Sequence, residues 1–336
     1  MNIEDVNLSA RPPFPELIDN TMRSTYKGCG KEFEYAFLHC IDSAVPSIHL
    51  HAGGAFAAGL EEARRSYYER GSSVDEALRD GLQRLINFYG PIEAPVTKTG
   101  DKSLDNVIRA YDSYFKQYPL DKDPLKPYMV GARAMVEFNF SFPTKVMHPV
   151  TGNPILYGGR SDMIGVQDDA VWVTDEKTAG SLGEQWHKNW DLDSQLTGYI
   201  TAGKINNYPI AGAIIRGVGL LKTKITHASA IVYRADWEIE RWWKQLNRDL
   251  HHMVQDWEAG YFDFALDKSS CNAYGGCKFL LLCKSPRPQE WLPINFRYRK
   301  WDPIAKDLGE KLLDNPKLVE SLVGPDIDLQ DLLPKK

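Results

Sequence analysis

Residues 158–179, GGRSDMIGVQDDAVWVTDEKTA, decide how the chain is read. The first half is an extended run with one acid, Asp162. A polar turn follows at Gln167-Asp168-Asp169, and the second run ends in Asp175-Glu176-Lys177. The turn is short enough to make the two runs a β-hairpin. Side chains alternate along a strand, so Val171, Val173, Asp175 and Lys177 share one face while Glu176 takes the other. Folding the hairpin is expected to bring Asp162 beside Asp175, so that two carboxylates and an ammonium converge. Oxygen ligands suit a hard divalent cation, and a backbone carbonyl from Glu176 would complete the protein's share of the site. Such a cation lowers the pKa of a bound water and polarises a phosphoryl oxygen, while Lys177 orients the water or offsets developing charge. Phosphodiester hydrolysis needs these parts. By spacing alone, the same residues also suit an exposed hairpin whose charges are merely solvated.

Downstream, a helix is expected from about Asp191, and it places Gln195 and Tyr199 at i and i+4 on one face. The ordered set Gly159-x-x-Asp162, Asp175-Glu176-Lys177-Thr178 and Gln195-x-x-x-Tyr199 resembles the PD-(D/E)XK nuclease superfamily, in its RecB-like and phage exonuclease branch. The resemblance extends over residues 23–283. It implies an α/β fold: a restriction-endonuclease-like core with a mixed sheet of about five strands flanked by helices, a helical insertion and a C-terminal cysteine segment. It further implies a Mg²⁺- or Mn²⁺-dependent deoxyribonuclease, an exonuclease of recombination, repair or phage DNA processing, with DNA and a recombination or helicase protein as partners. Carried over residue by residue, Asp162 and Asp175 would hold the metal and Lys177 would position the nucleophile. Gln195 and Tyr199 would lie over the site toward the nucleic acid.

Relatives in this branch often add a metal-facing glutamate on a preceding element. Glu137 is the candidate, on a strand where Met135, Glu137 and Asn139 are expected to share a face opposite Val136, Phe138, Phe140 and Phe142. A strand glutamate there is as readily a solvated one. The family's Gly-x-x-x-His helix matches residues 53–57, where Ala57 stands in place of the histidine. His51, six residues earlier, is expected to be a surface or loop histidine. The departure at Ala57 supports a rival reading, an inactive nucleic-acid-binding or structural protein that retains the nuclease fold.

Cys271, Cys277 and Cys283 are evenly spaced, with NAYGG and KFLLL between them. Thiolates are soft ligands for iron-sulfur clusters or zinc, and three leave a four-thiolate site one short. Five intervening residues suit zinc ribbons and knuckles poorly. The resembled family takes its fourth ligand from the N-terminal segment, where Cys29-Gly30-Lys31-Glu32-Phe33-Glu34-Tyr35 matches, so the resemblance implies a 4Fe-4S cluster on Cys29, Cys271, Cys277 and Cys283. Its usual closer spacing is not reproduced, and three reduced structural cysteines remain the alternative. Cys40 is read as a core cysteine.

At 336 residues, 43% hydrophobic and 25% charged, the chain can bury a large core in one elaborated domain or two packed ones. A formal net charge of −5 supplies no global basic field, so any basic groove must be local. The start, MNIEDVNLSARPPFP, lacks a signal peptide's basic and apolar regions, and no apolar run is long enough to span a membrane. Five cysteines without a secretion signal point to a reducing cytosol, and the resemblance implies that of a bacterial or phage-infected cell. The expected organisation is an extended arm at 1–20, a helical region at 21–130, a nuclease core at 131–265, a cysteine segment at 266–290 and a tail at 291–336. Two amphipathic helices belong to the helical region. Ser73-x-x-Glu76 opens the first, striped by Leu78, Leu82, Leu85, Ile86 and Tyr89; Leu104, Val107, Ile108, Tyr111, Phe115 and Tyr118 stripe the second.

Overall fold

The computed structural model describes residues 1–45, 47–91, 102–272 and 276–304. The principal elements in chain order are α1 (Ile48–Tyr68), α2 (Val74–Tyr89), α3 (Leu104–Gln117), β1 (Val136–Met147), β2 (Pro154–Gln167), β3 (Ala170–Ala179), α4 (Ser194–Ile205), β4 (Ile210–Leu220), β5 (Ile225–Val232) and α5 (Asp236–Ala259). They divide into two compact units. One holds Met1–Val45, Asn139–Gly159 and the described residues from Trp237 on; the other holds residues 46–138 and Arg160–Asp236, so β1 and β2 run through both.

The second unit is built on the expected hairpin. Gln167 pairs with Ala170, and the turn residues Asp168 and Asp169 have φ of 51° and 59°. Both lie in the left-handed region, the geometry whose twist matches a two-residue hairpin. β3 then pairs in parallel with β4, from Val171↔Ile210 to Ala179↔Gly219, and α4 makes the crossover that a parallel pair requires. β5 closes this part of the sheet antiparallel to β4. Strand directions are therefore mixed, and helices flank the sheet, as the α/β reading requires.

Helices α1 to α3 form the helical region. The Ser73 hydroxyl accepts from Glu76 N–H, and the Glu76 carboxylate accepts from Ser73 N–H at 2.9 Å, the reciprocal cap the sequence implied. The two apolar stripes meet: Phe56, Leu60, Leu85, Tyr89, Val107, Tyr111 and Tyr114 are buried together with Val218 and Leu220 of β4. Burying each of the larger side chains contributes about 1.5–3 kcal/mol. Gly81 lets α1 and α2 approach closely, because a β-carbon there would stand 2.5 Å from the Gly59 carbonyl oxygen. The loop expected at 91–103 lies almost entirely outside the described residues.

In the first unit the short strand Leu17–Ile18 runs parallel to β2 at Leu156–Tyr157. Trp242 and Trp243 of α5 pack on Tyr157 and Phe142, with ring centroids 5.3 and 6.2 Å apart. On α5 the apolar residues Ile239, Trp243, Leu246, Leu250, Met253, Val254 and Trp257 are buried. Asp19 caps the helix Asn20–Gly28, and that helix is tied to α5 by the buried Arg23–Asp249 pair at 2.6 Å. The stretch expected as an extended arm carries a 3₁₀ turn at Ile3–Asp5 and buries Phe14. The stretch expected as a C-terminal tail contributes a strand, Phe296–Tyr298, antiparallel to Ile41–Ser43, and Phe296 stacks on Phe279. Residues 305–336 lie outside the described residues.

Candidate active site

The site lies where β2 and β3 part. Their ladder is regular from Gln167↔Ala170 to Met163↔Thr174 and stops there. One step further, the Asp162 carboxylate replaces a ladder carbonyl and accepts the Glu176 backbone N–H at 2.5 Å. Lys177 Nζ stands 2.6 Å from Asp175 Oδ2 and donates to Gln195 Oε1 at 3.2 Å, and Gln195 Nε2 reaches the Tyr199 hydroxyl at 2.9 Å. Asp162, Asp175, Lys177, Gln195 and Tyr199 are thus joined in one continuous constellation. Helix α4 is aimed by its own cap, the Asp193 carboxylate accepting from Leu196 N–H at 2.8 Å. Room for the preceding turn comes from Gly217, the ladder partner of Lys177, where a β-carbon would stand 2.6 Å from the Trp186 ring.

The charges do not balance. Burial raises the Asp162 carboxyl well above the usual range, and the neighbouring Asp175, Glu176 and Glu137 raise it further. Burial also raises Asp175, against the opposing pull of Lys177. Lys177 in turn is held cationic: burial would lower its pKa, but Asp175 and Asp162 outweigh that and raise it. Two enclosed carboxylates with one ammonium make an oxygen-lined pocket of charge that a hard cation would relieve, so the donor set fits Mg²⁺ or Mn²⁺. Among the described residues no three His, Cys, Asp or Glu side chains gather as a metal-holding group.

Glu176 points to the other side of the strand, as alternation requires, and is clamped there. Burial would raise its carboxyl, but Arg64 of α1, helped by Arg216 and Asp162, overcomes burial and holds it at about 2. Arg64 donates to both Glu176 oxygens, one contact at 3.2 Å, and the Tyr114 hydroxyl donates to Oε1 at 3.0 Å. Arg216, the ladder partner of Glu176, forks onto Asp123 at 2.6 and 2.8 Å and lies 3.8 Å over the Tyr118 ring. Sequence reasoning missed Arg64, Tyr114, Arg216 and Asp123. A signal existed: Arg216 sits alone in the apolar run AIIRGVGL, and a charge buried in a strand needs a partner.

Glu137 departs from the expected alternation. Its φ of 56° breaks the alternation within β1, and Met135, Val136, Glu137 and Phe138 are all buried. Its carboxylate meets Arg160 at 2.5 Å. His51 is not a loop residue; it lies in α1, and its Nε2 is 2.8 Å from the Tyr89 carbonyl oxygen. Ala57 lies on the same helix two turns before Arg64, so the helix that lacks the family histidine supplies the clamp on Glu176 instead.

The four cysteines belong to the first unit. Burial and then Cys277, Cys29 and Cys271 push the Cys283 thiol up to about 11. Burial likewise raises Cys277, with Cys29 and Cys271 contributing. Among the described residues no three of these cysteines gather as a metal-holding group, and none forms a disulfide. Cys40 stands apart, its thiol directed to the Phe37 carbonyl at 3.7 Å.

A sequence profile of the PD-(D/E)XK nuclease superfamily matches residues 21–284, and the chain belongs to that superfamily. Similar solved structures include a protein from Eubacterium rectale provisionally described as an exonuclease, 13% identical, covering 77% of this chain and 88% of that one with a TM-score of 0.40. Another, designated SSO0001, is 15% identical over 61% of this chain and 80% of that one, with a TM-score of 0.26. No curated protein matches the chain. Among the described residues no helix is long and apolar enough to cross a membrane.

Proposed function

We propose that the chain is a divalent-metal-dependent deoxyribonuclease, acting as an exonuclease in recombination, repair or phage DNA processing. The reading is carried by the convergence of Asp162, Asp175, Lys177 and Gln195 where the β2–β3 ladder ends. Asp162 and Asp175 would hold Mg²⁺ or Mn²⁺ with the Glu176 carbonyl, and Glu137 is a further candidate ligand. The bound cation would activate water and polarise the phosphoryl group. Lys177, kept cationic by the two aspartates, orients the nucleophile and offsets charge on the phosphate oxygens. Gln195 fixes the direction of Lys177, and Tyr199 fixes Gln195. DNA is the substrate, with a recombination or helicase protein as partner, in a reducing cytoplasm that suits five unpaired cysteines.

Cys29, Cys271, Cys277 and Cys283 would carry a 4Fe-4S cluster. At Cys277 and Cys283 burial and the neighbouring cysteines favour the thiol form, and bound iron would supply the positive charge that stabilises thiolates. The rival reading, a binding protein without cleavage, is favoured by Ala57 in place of the family histidine. Incubation with linear, circular and single-stranded DNA, with EDTA and then with added Mg²⁺ or Mn²⁺, separates them. Metal-restored loss of linear DNA, with circular DNA spared, is expected; binding without cleavage under every metal condition would establish the rival.

A further inference from the structure

Arg160 stands on the strand that carries Asp162 but is not part of the constellation around Lys177. It is two residues before Asp162 and so belongs to the same strand face. Its side chain is 42% exposed, whereas that of its partner Glu137 is 6% exposed. The contact runs through Nε, at 2.5 Å from Glu137 Oε2, and among the described residues no other ion pair or hydrogen bond engages the guanidinium. An arginine held by Nε keeps its two terminal nitrogens for another acceptor, and that fork matches two oxygens of one phosphate. Glu137 holds this position with its backbone in the left-handed region, φ 56°, which costs free energy for a residue with a β-carbon. Such strain persists where surrounding structure enforces it, commonly at functional sites. The formal charges agree. Glu137, Asp162 and Asp175 against Arg160 and Lys177 leave one negative charge, a divalent cation turns this into one positive charge, and a phosphodiester neutralises it.

We propose that Arg160 binds a backbone phosphate of the nucleic-acid substrate and that Glu137 is its positioning residue. The inference rests on the nuclease reading for the identity of the ligand. It is tested by fluorescence anisotropy of labelled single- and double-stranded oligonucleotides across a KCl series, with Ca²⁺ as the metal and no turnover required. Arg160→Gln is expected to weaken binding about tenfold and to reduce the salt slope by about 0.7–0.9, the value of one phosphate contact. Glu137→Gln should weaken binding several-fold with the slope unchanged, since the cation remains but is no longer aimed. In cleavage assays Arg160→Gln should raise KM far more than it lowers kcat. Wild-type affinity and slope in a folded Arg160→Gln protein would overturn the proposal. If that variant does not fold, Arg160→Lys decides: retained slope with several-fold weaker binding supports the fork, and full wild-type affinity refutes it. A wild-type protein that binds through Arg160 but never cleaves removes the nuclease reading and keeps this one; cleavage with an unaltered slope in Arg160→Gln does the reverse.

Discussion

Removing the Arg64 guanidinium strands the charge of Glu176 in the interior of the second unit. Both ends of the pair are enclosed, with side chains 6% and 2% exposed, so solvent screening weakens it little. The carboxyl falls from an ordinary 4.5 to about 2. At about 1.4 kcal/mol per tenfold change in proton affinity, that difference amounts to about 3 kcal/mol. Cutting a buried pair at one end typically costs about 3–5 kcal/mol, so Arg64→Ala is expected to lose at least 3 kcal/mol at neutral pH. Because the folded-state pKa is depressed, this stability is fully present above 4.5 and is lost as pH falls through about 2. The gap between wild type and Arg64→Ala should therefore narrow across that interval. Adding Glu176→Gln to Arg64→Ala should recover more than half of the loss, since no unpaired charge remains. Urea denaturation at neutral pH and at about pH 3 provides the measurement. A cost below about 1 kcal/mol, or one that does not shrink on acidification, would refute the clamp.

Lys177→Ala should abolish cleavage and leave the fold and metal affinity nearly intact, because the ammonium is paired with Asp175, a proposed ligand, without being one itself; wild-type turnover in this variant would remove its role. Asp162→Asn should weaken Mn²⁺ binding measured by calorimetry, and unchanged affinity would exclude Asp162 from the site. Replacing Cys29, Cys271, Cys277 or Cys283 with Ser should bleach anaerobically purified protein near about 400 nm and lower its Tm, whereas Cys40→Ser should do neither. Colourless wild type without iron by elemental analysis would make these cysteines structural.

Much of the site was legible because strand and helix periodicities are local. Alternation alone placed Asp175 with Lys177 and turned Glu176 away, and the i to i+4 spacing joined Gln195 to Tyr199. The capping box and the apolar stripes of α2 and α3 were legible for the same reason. Glu137 was read from an alternation that a single positive φ interrupts, and no sequence rule marks a glutamate for the left-handed region. His51 was read as a surface or loop histidine from its isolation in the sequence, yet it lies within α1, where its ring meets the Tyr89 carbonyl of α2.

The sequence by itself determined the hairpin, the residues it presents on each face and the superfamily they indicate, since each depends on neighbours a few positions apart. Only the tertiary structure decided what stands behind β3: Arg64 from α1, Tyr114 from α3, and Arg216 of β4 with Asp123 converge on or beside Glu176. It alone also decided that Glu137 meets Arg160. Such partners lie far apart along the chain. Their pairing follows from the cost of an unpaired charge in the interior, a condition that states a partner is required but not which residue the fold will deliver.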